Sequence, residues 1–245
     1  MPEPALPPVV ILAGGLATRL RPLTDVVPKA MLDVNGEPFV AHQLRLLRAR
    51  GVTRVVLCAG HKAEMIEAFV GDGARFGLLV TFSNDGPTLL GTAGAVRRAL
   101  PLAGEVFFVL YGDAYLPCDY RAAWQAFVRS GRLALMTVFH NENRWDTSNV
   151  EFRDGDIIAY SKSERTERMR HIDYGLGVFS AAAFADVPAD EPYDLARLYA
   201  DLLRQGQLAG HEVGERFYEV GSFSGLEETR RFLASSGQVG QGTAS

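Results

Sequence analysis

The sequence predicts an α/β fold: one Rossmann-like, three-layer domain with a mostly parallel central sheet and a small β-rich subregion in its second half. Three observations predict it. The chain has 245 residues, 47% hydrophobic and 22% charged, which is enough length and apolar content for one large domain with a sizeable core. Its first half alternates short apolar runs with segments of helical periodicity, the pattern of βαβ units joined by right-handed crossovers. Those apolar runs are continuous rather than alternating, so the strands are expected to be covered on both faces.

Taken in order, residues 9–12 form a short apolar strand that ends in Ala13-Gly14-Gly15. Residues 38–50 carry Phe39, Val40, Leu44 and Leu47 at helical spacing, and Gly51 stops the helix. Residues 54–59 read as a strand, 61–70 as a helix, 78–82 as a strand and 92–100 as a helix. Residues 106–111 are the most hydrophobic strand candidate and stop at Gly112-Asp113. A helix over 119–130 and a strand over 133–139 follow.

The second half changes character. Residues 149–152 and 157–160 flank Asp154-Gly155 and predict a β-hairpin with a two-residue turn. Residues 175–180 read as a strand. Residues 194–205 read as a helix with Leu195, Leu198, Leu202 and Leu203 on one side. A strand over 217–220 precedes a last helix over 224–234, where Ser224 and Glu227 have capping-box spacing. Residues 235–245 are small, polar and glycine-rich and are expected to be a disordered tail. No internal repeat is present, and in particular no hexapeptide repeat of a β-helix.

Composition narrows the function classes. The net charge of −4, with basic residues scattered, gives no electrostatic footprint for nucleic acid. Cys58 and Cys118 have neither metal-like spacing nor a disulfide framework, which fits a reducing cytosol. The first residues lack a basic region followed by a long apolar stretch, so no signal peptide is expected. No apolar run approaches the roughly 18 residues of a membrane span. The expectation is a cytoplasmic protein without a membrane partner.

Chemistry-bearing residues begin at Leu12-Ala13-Gly14-Gly15, with Thr18 and Arg19 behind. Two glycines after a strand let a ligand approach the backbone, and successive N–H groups make a nest for an anion. Arg19 adds charge and forked donors for phosphate. A plain βα turn explains the glycines equally well. The segment has neither Walker nor dinucleotide-binding spacing. Lys29 follows Pro28, which restrains its backbone; alone it reads as a surface lysine.

In combination, Gly14-Gly15-x-x-Thr18-Arg19-x-x-Pro22, then Pro28-Lys29, then Asn35-Gly36-x-Pro38 resembles the N-terminal signature of the sugar-1-phosphate nucleotidyltransferases. The resemblance extends to about residue 230 and is nearest to mannose- and heptose-1-phosphate guanylyltransferases and N-acetylmuramate-1-phosphate uridylyltransferases. It implies a nucleotidyltransferase domain over 1–234, with a nucleotide-binding half over about 1–140 and a sugar-binding half over about 141–234. It implies that Leu12, Ala13, Gly14, Gly15 and Thr18 wrap the triphosphate, that Arg19 contacts the outer phosphates, and that Lys29 binds the phosphate being joined. Asn84 with Asp85-Gly86-Pro87, and Gly91-Thr92, resemble the family's base-contacting segment and the helix start behind it. An ordinary cap explains Thr92 but not both glycines of Gly91-Thr92-Ala93-Gly94.

Asp113, with Gly112 before it, ends a buried strand and points into the ligand crevice. Hard oxygen ligands suit Mg²⁺ with one or two carboxylates, and the resemblance gives Asp113 that role. The family's second metal ligand is usually an aspartate; here Glu219 stands in that position, with a water-mediated contact as the rival reading. Lys162 matches a sugar-region lysine, while Ser161 replaces the family's glutamate. Asn149, Tyr174 and Gly175 match positions lining the sugar, each with a structural reading of comparable weight. His140, His171 and His211 fit no ligand pattern.

The implied substrates are a nucleoside triphosphate and a sugar 1-phosphate, the products a nucleotide sugar and pyrophosphate, with Mg²⁺ as cofactor and a homodimer as a candidate assembly. The favoured reaction is guanylyl transfer to a heptose or mannose 1-phosphate. The alternatives are uridylyl or cytidylyl transfer to another sugar phosphate or to a non-sugar phosphate or phosphonate. From another class comes a catalytically inactive regulator that binds nucleotide sugars.

Overall fold

The computed structural model of the chain describes residues 5–15, 18–84, 86, 90–189 and 191–239. In chain order these form β1 (Val9–Leu12), α1 (Leu23–Val26), β2 (Asp33–Val34), β3 (Glu37–Pro38), α2 (Phe39–Ala49), β4 (Arg54–Ala59), α3 (Ala63–Val70), β5 (Leu79–Asn84), α4 (Gly91–Ala103) and β6 (Val106–Tyr111). Then come β7 (Ala114–Tyr115), α5 (Tyr120–Ser130), β8 (Ala134–His140), β9 (Val150–Arg153), β10 (Asp156–Tyr160), β11 (His171–Ser180), α6 (Leu195–Arg204), β12 (Leu208–Val213), β13 (Tyr218–Glu219) and α7 (Phe223–Val239).

β1 lies between β4 and β6, parallel to both, and β4 carries β5 in parallel register. This is the βαβ core that the alternating pattern predicts. β11 then pairs antiparallel with β6, β8 and β9, and β12 extends the sheet parallel to β8. The sheet strands β1, β4, β5 and β6 of the first half are therefore all parallel, and β11 is where the sheet turns antiparallel.

Helices cover both faces, and strand alternation divides the core. Val9 and Ile11 of β1 pack in one cluster with Val40, Leu44 and Leu47 of α2; Val10 packs in the other with Val96 and Ala99 of α4. On β6, Phe108 joins the first cluster and Phe107 the second, and both are fully buried. Burying a side chain of this size stabilises the fold by about 1.5–3 kcal/mol. This is why the strands show no polar alternation.

The predicted hairpin is present: β9 and β10 pair antiparallel around Asp154 (φ 51°) and Gly155 (φ 91°), the two positive dihedrals that a type I′ turn needs. Several boundaries differ from the sequence reading. β12 carries Gly210 and His211 and reads weakly as a strand, yet it pairs along its whole length with β8. The last helix continues to Val239, through residues assigned above to a tail, and 240–245 lie outside the described residues. Its start is capped not by Ser224 but by Ser222, whose Oγ accepts from Gly225 N at 3.0 Å. Glu227 instead faces Arg230, at 2.5 Å. Among the described residues no helix is long and apolar enough to cross a membrane.

Two histidines link this fold to pH. His171 packs against Phe152 (centroids 5.2 Å) and His140 (4.9 Å), with Glu212 Oε1 3.3 Å from its Nε2. Burial lowers its pKa below 6.5 and His140 adds to this, although Glu212 opposes them. His211 is lowered by burial and by Arg129. The unfolded chain therefore binds more protons than the fold below about pH 6.5, and stability is lost as the pH falls through that range. We expect melting temperature to decline from pH 7 to pH 5, and a His171→Gln/His211→Gln variant to decline less. Parallel curves for the two proteins across that range would contradict the assignment.

Candidate active site

The C-terminal ends of β1 and β6 converge. Ala13 N continues the β1–β4 ladder by donating to Cys58 O at 2.8 Å, and Gly112 N donates to Leu12 O at 3.0 Å. A Cβ on Gly112 would lie 2.6 Å from Leu12 O and 2.9 Å from Ala13 Cα. Glycine is required there because two backbones cross. The crossing leaves a cavity of about 270 Å³ lined by the Leu12–Gly15 loop, Lys29, Gly91, Thr92, Tyr111, Gly112, Asp113 and Asp194 among others. Ligands of open α/β sheets bind at this end of the strands.

Lys29 opens a single helical turn, after Pro28 at φ −67°, ψ 155°. Its Nζ donates to Asp113 Oδ2 at 2.8 Å, and both side chains are about a quarter to a third exposed, at 23% and 32%. The Asp113 turn is fixed from below by Gln43. This buried α2 side chain donates from Nε2 to Ala114 O at 2.8 Å and, more weakly, to Tyr111 O at 3.4 Å. Sequence reading passed over Gln43. The signal was present, because it lies on the apolar stripe of α2 and polar residues there usually hold something.

Glu219 arrives through β13, which pairs with β7 so that Glu219 stands opposite Ala114, and Val220 N donates to Asp113 O at 2.8 Å. The Glu219 carboxylate folds back on its own turn: Oε2 accepts from Gly221 N at 2.6 Å and Oε1 from Ser222 Oγ at 2.7 Å. A Cβ on Gly221 would strike Glu219 Oε2 and lie 3.1 Å from Asp113 Oδ2, so both carboxylates converge on the one residue that leaves them room. Hard oxygens from two carboxylates around such a space fit Mg²⁺, which commonly takes one or two carboxylates and fills its remaining positions from phosphate and water. Among the described residues no group of three or more His, Cys, Asp or Glu side chains is placed to hold a metal.

The remaining sequence candidates divide. Gly14 and Gly15 line the cavity, whereas Arg19 is exposed on the turn Thr18–Leu20 outside the lining. Residues 16 and 17, Asp85 and residues 87–89 lie outside the described residues, and with them most of the proposed base segment. Asn84 is exposed at the end of β5, with its Nδ2 donating to Glu67 Oε1 at 3.0 Å, and does not line the cavity. At α4 the N–H groups of Ala93 and Gly94 donate to Tyr193 O (2.8 and 3.2 Å), and Thr92 Oγ1 accepts from Leu195 N at 2.7 Å. The helix start is thus stitched to the α6 loop, which brings Asp194 to the cavity. Sequence reading placed Asp194 only at a helix start.

In the second half, Lys162 Nζ lies 5.6 Å from the centroid of the Tyr111 ring. The Ser161 hydroxyl caps its own turn, accepting from Glu164 N at 2.8 Å. Asn149 Oδ1 accepts from Asp173 N at 2.9 Å and ties the start of β9 to β11. Tyr174 needs correction as a sugar-lining side chain. It is 2% exposed and packs between Phe139 and Phe217 in the core, because it projects from the opposite face of β11 to its neighbour Asp173.

Comparison with known proteins adds three findings. A family model described as nucleotidyl transferase matches residues 8–158. The chain is 29% identical over 227 residues to an N-acetylmuramate alpha-1-phosphate uridylyltransferase of Neisseria meningitidis serogroup B, covering 90% of this chain and 96% of that protein. It is 32% identical over 186 residues to a mannose-1-phosphate guanylyltransferase of Mycobacterium tuberculosis, covering 76% of this chain but 45% of that protein. In fold it matches HddC from Yersinia pseudotuberculosis, solved with GMP-PN, at a TM-score of 0.76 and 24% identity, over 93% of this chain and 100% of that one.

Proposed function

The chain belongs to the sugar-1-phosphate nucleotidyltransferases, and on that premise we propose that it transfers a guanylyl group from GTP to a mannose or heptose 1-phosphate, releasing pyrophosphate. The observation that carries the reaction type is the pairing of Lys29 with Asp113 at the cavity that the glycine loop lines, with the Glu219 carboxylate beside Asp113 across Gly221. A cation and two carboxylates there suit a reaction between two anions.

A sugar phosphate has a second pKa near 6, so its oxygen is mostly ionised at neutral pH and needs no general base. That oxygen attacks the α-phosphorus, the bond from the α-phosphorus to the β-bridging oxygen breaks, and pyrophosphate leaves with the electron pair. The obstacle is charge repulsion and alignment, so catalysis rests on positioning and neutralisation. The N–H groups of the Leu12–Gly15 loop and Arg19 hold the triphosphate. Lys29 leaves Asp113 for the incoming sugar phosphate and keeps it in line. Asp113 and Glu219 would hold Mg²⁺, which supplies positive charge against the α-phosphate and the departing pyrophosphate.

A second reading is uridylyl transfer to N-acetylmuramate 1-phosphate. The match across 96% of the Neisseria relative, against 45% of the guanylyltransferase, favours it. A thermal-shift screen of GTP, UTP, CTP and dTTP with Mg²⁺, followed by pyrophosphate release from each nucleotide with a panel of sugar 1-phosphates, decides between them, since a ligand of the folded state raises its stability. GTP with mannose or heptose 1-phosphate should give the fastest release. Release only with UTP would transfer the assignment to the second reading, and none with any pair would leave a regulator.

A further inference from the structure

Asp194 occupies the N-cap position of α6 with extended dihedrals (φ −88°, ψ 143°), yet its side chain makes no capping bond. An aspartate there ordinarily accepts from the backbone N–H groups of the first turn. Those groups go elsewhere. Leu195 N donates to Thr92 Oγ1 on α4 at 2.7 Å, and Arg197 N donates to the Asp194 carbonyl at 3.0 Å. Among the described residues the Asp194 carboxylate accepts no hydrogen bond and forms no ion pair. It is exposed and lines the cavity. Its place there is fixed on both sides, because Leu195 is bound to Thr92 and the Tyr193 carbonyl to Ala93 N and Gly94 N. Gly91, at φ +70°, lets the two segments meet: a Cβ on it would lie 2.8 Å from Tyr193 O and 3.0 Å from Tyr193 N.

The fold thus caps α6 from another helix and leaves a carboxylate free at the cavity. A phosphate is disfavoured against it, since like charges repel. The helix-start N–H groups of Ala93 and Gly94, which could have held a phosphate, are spent on Tyr193 O. What suits this carboxylate is a ligand group that brings hydrogen-bond donors. The residues beside it in the lining, Gly91, Thr92 and Ala95, are small and admit a compact group. On the nucleotidyl-transfer reading the triphosphate goes to the Leu12–Gly15 loop, so the nucleoside is the donor-bearing part that the α4 start receives.

We propose that Asp194 is a substrate-binding residue that takes a pair of adjacent donors on the nucleoside, either the two ribose hydroxyls or the N1–H and N2–H of guanine. The proposal deepens the nucleotidyl-transfer reading and rests on it. A carboxylate can accept both donors of such a pair, one on each oxygen. Uracil offers a single N–H between two carbonyls, so contact with the base would favour GTP over UTP, whereas contact with the ribose would not distinguish them.

The test compares wild type with Asp194→Ala and Asp194→Asn, the second keeping one acceptor without the charge. Pyrophosphate release is measured with GTP, its 2′- and 3′-deoxy forms and ITP, which lacks the N2 amine, each with the sugar 1-phosphate that wild type turns over. Asp194→Ala should raise the KM for GTP about 10- to 100-fold, the scale of hydrogen bonds to a charged group, with Asp194→Asn in between. The KM for the sugar 1-phosphate should stay within about twofold, as expected for loss of a contact to one substrate only. The melting temperature should stay within about 2 °C, because the carboxylate caps nothing. Deoxy forms that are poor substrates for wild type and lose little further in Asp194→Ala place the contact on the ribose; the same behaviour of ITP places it on the base. An unchanged GTP KM, a rise confined to the sugar 1-phosphate, equal rises for both substrates, or analogue penalties that are the same in wild type and variant overturns the role of Asp194 and leaves the reaction standing. Wild-type release with UTP alone overturns the contact with guanine, and the deoxy forms of UTP then decide the contact with ribose by the same criterion. No turnover by wild type of any nucleotide and sugar phosphate overturns the reaction itself and this proposal with it.

Discussion

Asp113→Ala should lower kcat/KM by at least about 100-fold, the scale of losing one contact to transition-state charge. The residue sits where the buried β6 strand ends. Its turn is fixed by Gln43 on one side and by the Val220 N–H on the other, so the carboxylate is aimed by the sheet rather than by a mobile loop. Among the described residues it is the acid that both faces Lys29 and shares the Gly221 space with Glu219. Asp113→Asn separates charge from shape: it keeps an acceptor for Lys29 but loses the negative charge, and it should be nearly as impaired. Binding of nucleotide without divalent cation should change little in either variant, because the glycine loop is built from β1 and not from β6. Turnover within about threefold of wild type in Asp113→Ala would sink the assignment of Asp113 as a charge-stabilising group.

What the sequence disclosed about this site follows from how local each determinant is. The Leu12–Gly15 loop, Lys29 and Asp113 were legible because each lies at a strand end or turn with its own punctuation, and the structure gathers all of them at one cavity. Glu219 was legible as a residue, but not its conformation, which depends on the N–H of Gly221 and the hydroxyl of Ser222 one turn later. The burial of Tyr174 was not legible, because β11 shifts register against β8 there, from Asp173↔Val138 to Gly177↔Met136, through a pairing far away in sequence. Asp194 reaches the cavity only because the Tyr193 carbonyl accepts from the start of α4, roughly a hundred residues earlier. β12 escaped because its strand character comes from its β8 neighbour rather than from its own Gly210 and His211.

Lys29→Ala should also cost at least about 100-fold in kcat/KM, yet it should act on cation binding in the opposite sense to Asp113→Ala. With Nζ 2.8 Å from Asp113 Oδ2, the ammonium neutralises the carboxylate that a divalent cation would use. Both side chains are partly exposed, so solvent weakens the pair and its contribution to stability is small; the melting temperature should barely move. On the proposed mechanism, removing Lys29 strips the sugar phosphate of its cation and at the same time leaves the Asp113 carboxylate without its ion-pair partner. Mn²⁺ binding to the nucleotide-free protein, followed by electron paramagnetic resonance, should tighten in Lys29→Ala and weaken in Asp113→Ala. Lys29→Arg should not restore full turnover, because a planar fork does not place its charge where a point-like ammonium does. A variant that lost turnover and Mn²⁺ affinity together would show that Lys29 supports the local fold rather than the incoming phosphate. Loss of turnover with gain of Mn²⁺ affinity is the pattern expected of a lysine that exchanges a carboxylate for a substrate phosphate.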